Sequence, residues 1–326
     1  MRWLIACAFV MAMVAPVAAQ LVQGGQLPQG GTWGRRAAML EANSEFAVAE
    51  LDGKVYVLGG YPASRQTQRT VQVYDTKTDT WSLGPPLPVA NNHGMAIAVA
   101  GKVYLIGGQT TDAGAGSYVN TLYALDPARG VWEQRAPMPT ARSAGAPVVL
   151  GGKIYVAGGR PPRGSDFAVY DPATDVWTTL PNLPNQRNHI IGAAMNGKVY
   201  FAGGRLEGGF QSAATAVFEA FDPATGQWTS AAPMPRPRSG MNGVLAFGCF
   251  HVWGGEGALG MFPDHDVYDP RINAWTRLAD MPTPVHGVTG AAFVDGLIFV
   301  PGGGIATSGS SGSVLNQTFA PAQRCE

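Results

Sequence analysis

The sequence predicts an all-β chain built from six copies of one antiparallel unit, and three observations lead there. Gly and Pro, 44 and 25 of 326 residues, punctuate a chain that is 46% apolar, which favours many short strands over long helices. Apolar runs end in Gly-Gly six times, at Gly59-Gly60, Gly107-Gly108, Gly158-Gly159, Gly203-Gly204, Gly254-Gly255 and Gly302-Gly303. The first glycines stand 48, 51, 45, 51 and 48 residues apart, a spacing that marks repeat architectures.

Each unit opens with a tight turn and a strand: "DGKVYVLGG", "AGKVYLIGG", "GGKIYVAGG", "NGKVYFAGG", "FGCFHVWGG" and "DGLIFVPGG". These strands are apolar without strict alternation, as suits a sheet covered on both faces. The terminal Gly-Gly permits positive φ and close backbone approach. An aromatic residue or Leu followed by Asp comes next, at Tyr74-Asp75, Leu125-Asp126, Tyr170-Asp171, Phe221-Asp222 and Tyr268-Asp269. Trp81, Trp132, Trp177, Trp228 and Trp275 follow, and a Pro-rich corner such as "PMPTAR" leads into the next unit.

Diglycines with tyrosine and tryptophan in register resemble the kelch repeat, and the resemblance extends over essentially the whole chain beyond its leader. It implies a six-bladed β-propeller with four-stranded antiparallel blades, the tryptophans filling the space between blades. The sixth unit stops before a Trp, whereas Trp33 lies 48 residues before Trp81. The N-terminal strand is therefore expected to close the last blade and remove a sheet edge. Under this closure Cys249 and Cys325 fall on one face of neighbouring blades. A disulfide between them is expected, with two unpaired thiols as the alternative because sequence carries no distance.

The ends add a compartment. "MRWLIACAFVMAMVAPVAAQ" has Arg2, an apolar run from Trp3 to Val14 and small residues before Gln20, the layout of a secretory signal peptide over residues 1–19. A short linker over 20–30 and a single propeller over 31–326 follow. No other stretch approaches the ~20 apolar residues of a membrane-spanning helix, so a secreted or periplasmic monomer is expected. Net charge is zero, which argues against nucleic acid as a partner. The cations are 17 Arg against 5 Lys, a bias toward forked contacts with carboxylate or phosphate.

Strand alternation separates two faces, with Lys54, Lys102, Lys153 and Lys198 in the hairpins of one. On the other, sixteen positions before each first glycine, stand Asn43, Asn91, Arg142, Arg187, Arg238 and His286, all able to donate a hydrogen bond. After each diglycine come Tyr61, Gln109, Arg160, Arg205, Glu256 and Gly304. Arg187, His189 and Arg205 thus bracket one hairpin because both its outer ends reach one channel mouth. The candidate ligand-binding set is Asn43, Asn91, Arg142, Arg187, Arg238 and His286 with Arg160, Arg205, Glu256, His189 and Tyr61. The resemblance also implies a competing role for the arginines, in tying neighbouring blades together.

Signatures of common enzymes, HExxH, GxSxG, GK[ST] and paired CxxC, are missing. "PDHDVYD" brings Asp264, His265 and Asp266 together, but consecutive strand residues face opposite ways, and His251 holds a strand position taken elsewhere by Tyr. No metal, cofactor or catalytic residue is expected. A copper-radical oxidase, known among similar propellers, would need a cysteine near the mouth, and Cys249 is not there. The function expected is an exported binding module that engages an acidic protein segment or an anionic carbohydrate at the Arg-rich mouth. The alternative is a sugar-acid mutarotase of the kind that epimerises sialic acid on similar propellers, with Arg205, Glu207 and Glu256 of suitable identity.

Overall fold

The computed structural model describes residues 30–325 apart from Ala63 and Ser310. The expected leader at 1–19, and the linker before Gly30, lie outside the described residues.

Six four-stranded antiparallel units, here called blades one to six, follow one another along the chain. Their innermost strands are Phe46–Leu51, Met95–Val99, Ala146–Leu150, Ile191–Met195, Asn242–Ala246 and Ala292–Val294. The first five of these strands, and Gly290 and Ala291 just before the sixth, line one cavity of about 300 Å³, walled by side chains such as Val48, Ile97, Val148, Ile191 and Leu245, so the blades surround a common axis. In blade six the order is innermost strand, Leu297–Pro301, Asn316–Pro321 and then Gly31–Arg35, with Trp33 opposite Phe319. The N-terminal strand closes the ring, as its register with the other tryptophans predicts.

Two interactions recur at the seams between blades. Every repeat Trp donates its indole N–H to a carbonyl in the corner that leaves the preceding blade, at 2.8–3.0 Å. The acceptors for Trp33, Trp81, Trp132, Trp177, Trp228 and Trp275 are Ala279, Ala37, Pro85, Ala136, Pro181 and Ala232. Nearer the axis, the second glycine of each pair donates its N–H to the blade ahead. Gly60, Gly108, Gly159, Gly204, Gly255 and Gly303 bond the carbonyls of Asn91, Arg142, Arg187, Arg238, Val285 and Asn43 at 2.7–3.1 Å. The first glycine permits this approach: a Cβ on Gly158, whose φ is +67°, would lie 2.6 Å from the Arg187 carbonyl oxygen.

Blade six departs from the pattern. Val288–Thr289 pairs in parallel with Phe46–Ala47 of blade one, so the entry to blade six reinforces the closing seam. Its innermost strand is left with three residues. Cys249 and Cys325 are bonded, with Cα atoms 5.0 Å apart, and the Cys325 N–H donates to the Phe247 carbonyl. This link joins the tail beyond the third strand of blade six to the first hairpin of blade five.

Replacing both cysteines by alanine is expected to lower stability by about 2–5 kcal/mol, because the link spans 76 residues of sequence. Guanidinium denaturation with and without reductant measures it, and an unchanged midpoint in both comparisons would contradict it.

Candidate functional site at the channel mouth

Five of the six residues selected at the strand entries are braces inside the wall. Asn43 and Asn91 donate their amides to the carbonyls of Gly59 and Gly107 at 2.7 and 2.8 Å. Arginine in the same register is longer and reaches two residues deeper. Arg142, Arg187 and Arg238 donate to the carbonyls of Val156, Phe201 and Val252. Arg187 also pairs with Glu219 at 2.7 Å and Arg238 with Asp266 at 2.7 Å, while Arg142 donates to the Asp166 carbonyl at 3.0 Å. All three side chains are buried, and burial lowers the Arg142 guanidinium to about 10. The structure therefore sets these arginines among acceptors of their own blades and does not bring them to the channel; the seam to the preceding blade is made by their backbone carbonyls and not by the side-chain tie that the resemblance implied.

His286 belongs to a different layer. Blade six is one residue longer between its entry and its diglycine, with Val285 seventeen positions before Gly302 where the other braces stand sixteen before theirs, so Val285 takes the brace position and accepts from Gly255. His286 instead exchanges backbone hydrogen bonds with Gly304, as Ser44 does with Tyr61, Asn188 with Arg205 and Ser239 with Glu256. The sixteen-residue offset missed this single extra residue.

The position after that layer lines the axis. Glu45, His93, Ala144, His189, Gly240 and Gly287 all have positive φ, between +49° and +66°. They pass backbone hydrogen bonds around the channel: each N–H from His93 to Gly287 donates to the carbonyl of its predecessor at 2.7–3.2 Å. All six line one small cavity on the axis. Left-handed backbone at Glu45, His93 and His189 costs roughly 1–2 kcal/mol per residue, and such strain concentrates at functional sites.

Three side chains from this ring meet five from the layers above. His93 Nε2 lies 3.0 Å from Glu45 Oε2, and His286 Nε2 lies 3.5 Å from both Glu45 Oε1 and Glu256 Oε2. Arg205 pairs with Glu256 at 2.8 Å and donates to His189 Nε2 at 2.9 Å; Arg160 donates to His93 Nε2 at 2.9 Å. Tyr61 packs its ring near His93, with centroids 6.1 Å apart. Of the expected set, the structure thus brings Tyr61, Arg160, His189, Arg205, Glu256 and His286 together. Glu45 and His93 complete the group and were missed, although "NNH" and "RNH" place His93 and His189 fourteen residues before Gly107 and Gly203, as Glu45 stands before Gly59.

Burial governs the protonation of this group. It lowers His93, partly offset by Glu45, and lowers His189 further with the help of Arg205 and Arg160. It opposes charge on His286 too, but hydrogen bonding to Glu45 and the charge of Glu256 raise it. The second histidine pair, His251 and His265 in blade five, is buried at 3.1 Å. Burial lowers His251 to about 4 and holds His265 well below its usual value. Asp264 and Asp266 face Arg238 and Arg277, which already supply their counter-charges.

Around the mouth, the loops after the diglycines form a rim. Arg65, Arg163 and Arg236 are exposed there, as are Leu206, Ile305 and Leu259, the last at 94%. Leu259 tips a small hairpin, Glu256–Gly257 with Gly260–Met261, that the repeat pattern did not announce. Between this hairpin and the blade-four loop runs a groove of about 510 Å³ lined by Gln211, Ala214, Arg236, Leu259 and Phe262. The Arg236 guanidinium stands 5.3 Å from the Phe262 ring centre. Glu207, one of the trio considered for an enzyme, is exposed on the blade-four loop, apart from the buried Arg205–Glu256 pair.

Comparison with known proteins is consistent with this geometry. The KLHDC2/KLHL20/DRC7 kelch-repeats domain matches residues 37–204, and the kelch motif matches 192–235. Kelch-like protein terF of Aspergillus terreus is 35% identical over 298 residues, covering 85% of this chain and 64% of terF. Kelch-like protein 35 of Mus musculus is 33% identical over 137 residues, 42% of this chain and 22% of that protein. The chain thus covers about a fifth of the mouse relative. Among solved structures, YjhT superimposes with a TM-score of 0.69, covering 86% of this chain and 95% of YjhT at 14% identity, a likeness of fold.

Two outcomes follow from the buried network. Arg187→Ala leaves Glu219 without its counter-charge and is expected to cost about 3–5 kcal/mol, against less than about 0.5 for exposed Arg163→Ala; equal denaturation midpoints for the two would contradict the brace. Four lowered histidines also make the unfolded chain bind protons first below its own value of about 6.5. The raised His286 adds stability in the same acidic range, but it is one against four. The melting temperature should therefore fall as pH drops from 7.5 to 5, and a rise would refute the assignment.

Proposed function

The chain belongs to the kelch-repeat family, and on that premise we propose that it is an exported protein-binding module whose loop face takes an acidic segment of a partner. Kelch propellers generally mediate protein interactions. The observation that carries the finer reading is the groove beside Leu259 and Phe262, with Arg236 on its edge and further exposed arginines around the rim. Such a groove suits an apolar side chain flanked by carboxylates: burial supplies affinity and the rim charges steer approach. Export is supported by the leader-like residues 1–19 and by the bonded cysteine pair, which suits an oxidising compartment.

Fluorescence anisotropy with labelled peptides tests the reading. Asp/Glu-rich peptides carrying one Leu or Phe should bind more tightly than neutral peptides with the same apolar residue. Affinity should fall at least about tenfold in Arg163→Glu/Arg236→Glu, a difference of roughly 1.4 kcal/mol, with the melting temperature unchanged. Equal affinity for acidic and neutral peptides would overturn it, as would a preference for a uronic-acid oligosaccharide over every peptide.

A further inference from the structure

We propose that Glu45, His93 and His189 form a site for one divalent transition-metal cation of the zinc class, on the channel axis. The proposal is independent of what the loop face binds. One carboxylate oxygen and two imidazole nitrogens lie within 4.8 Å of one another, and all three side chains are buried. Two imidazoles with one carboxylate are a donor set for zinc, cobalt or iron, and a poor one for magnesium or calcium, which take oxygen ligands.

The aim of the imidazoles is the second observation. His93 Nδ1 meets Asn92 Oδ1 at 2.6 Å and His189 Nδ1 meets Asn188 Oδ1 at 2.5 Å. The Asn188 orientation is set in turn by its donation to the carbonyls of Arg205 and Glu207, and Asn92, in the same register, donates to the Thr67 hydroxyl. An amide oxygen can only accept, so Nδ1 carries the hydrogen and Nε2 carries the lone pair in each ring. Hydrogen bonding of the outer ring nitrogen to a fixed oxygen is how proteins orient histidine toward a metal.

Both lone pairs then point at the cluster. His93 Nε2 and Glu45 Oε2, two electron-rich atoms, stand 3.0 Å apart, an approach that requires positive charge beside it. Arg160 supplies it through a nitrogen 2.9 Å from His93 Nε2, and Arg205 stands likewise 2.9 Å from His189 Nε2. A cation would take over these two acceptor positions. Arg160 is partly exposed and has room to withdraw, while Arg205 retains Glu256 and Ser239.

Space agrees with this role. The axial cavity has room for about one water-sized body, roughly 10 Å³. The other three ring positions, Ala144, Gly240 and Gly287, bring no donor side chain, and a Cβ at Gly287 would lie 2.8 Å from the Glu45 carboxyl carbon. The ring therefore supplies three protein ligands, and the remaining coordination is left to water or to a ligand entering the channel, the open coordination that distinguishes a reactive zinc site from a closed structural one.

The test titrates chelator-treated full-length protein with Co²⁺, Zn²⁺ and Mg²⁺. One equivalent of Co²⁺ should give visible absorption that Zn²⁺ abolishes and Mg²⁺ does not, and His93→Gln or His189→Gln should weaken binding at least about tenfold. No stoichiometric binding of Co²⁺ or Zn²⁺ by the wild type overturns the proposal, as does unchanged binding in folded variants. Nitrogen NMR of ¹⁵N-histidine-labelled wild type decides the matter if a variant does not fold. One equivalent of Zn²⁺ should shift His93 and His189 Nε2 and leave His251 and His265 in place; no shift, or shifts at the blade-five pair instead, refutes it.

Discussion

How closely successive blades approach at the diglycines is the constraint on which the molecule depends. At every seam one amide N–H reaches the blade ahead, and at Gly158 a single added methyl would occupy the space of the accepting carbonyl. Exposed to water, one such bond has a net worth of about 1 kcal/mol. In a closed ring all six must form together, so the seams act as a set. They also determine which residue of each entry segment enters the wall and which faces the channel.

The layering above the innermost strands follows directly. The residue whose carbonyl accepts the glycine N–H has its side chain directed into its own blade, where Asn reaches the near carbonyl and Arg a deeper one. The next residue pairs with the loop after the diglycine, and the one after that turns through positive φ onto the axis. One register thus separates brace, support and channel-facing groups. The polar cluster at the mouth is the product of that order: Glu45, His93, Arg160, His189, Arg205 and Glu256 from blades one to five, with His286 of blade six, share a volume too dry to leave any of them unpaired.

Much of this was legible in the sequence. Spacing of Gly-Gly, Tyr-Asp and Trp located all six blades, and Trp33 located the closing strand, because these features repeat and each repeat checks the others. The site was legible only in part. Arg142, Arg187 and Arg238 drew attention as cations in one register, but a repeated residue is as readily a repeated structural need, and here each satisfies carbonyls that every blade must cap. Glu45 and His93 were harder to see than His189, which its neighbouring arginines singled out, because the other equivalents are Ala144, Gly240 and Gly287, so no repeat announces the position. His286 was misplaced by one position, since an extra residue in the entry to blade six is invisible to a count from the diglycine. The Leu259 hairpin and the loop groove lie where the repeats differ most in length and composition, and periodicity says nothing there.

Amide hydrogen exchange on ¹⁵N-glycine-labelled protein tests the seams most directly. Protection of Gly60, Gly108, Gly159, Gly204, Gly255 and Gly303 should match the slowest core amides, with exchange only through global opening and with all six slowing or quickening together as denaturant is varied. Exchange of several of these amides through independent local opening, while the strands beside them stay protected, would show that the seams neither close the ring nor set the positions at the mouth.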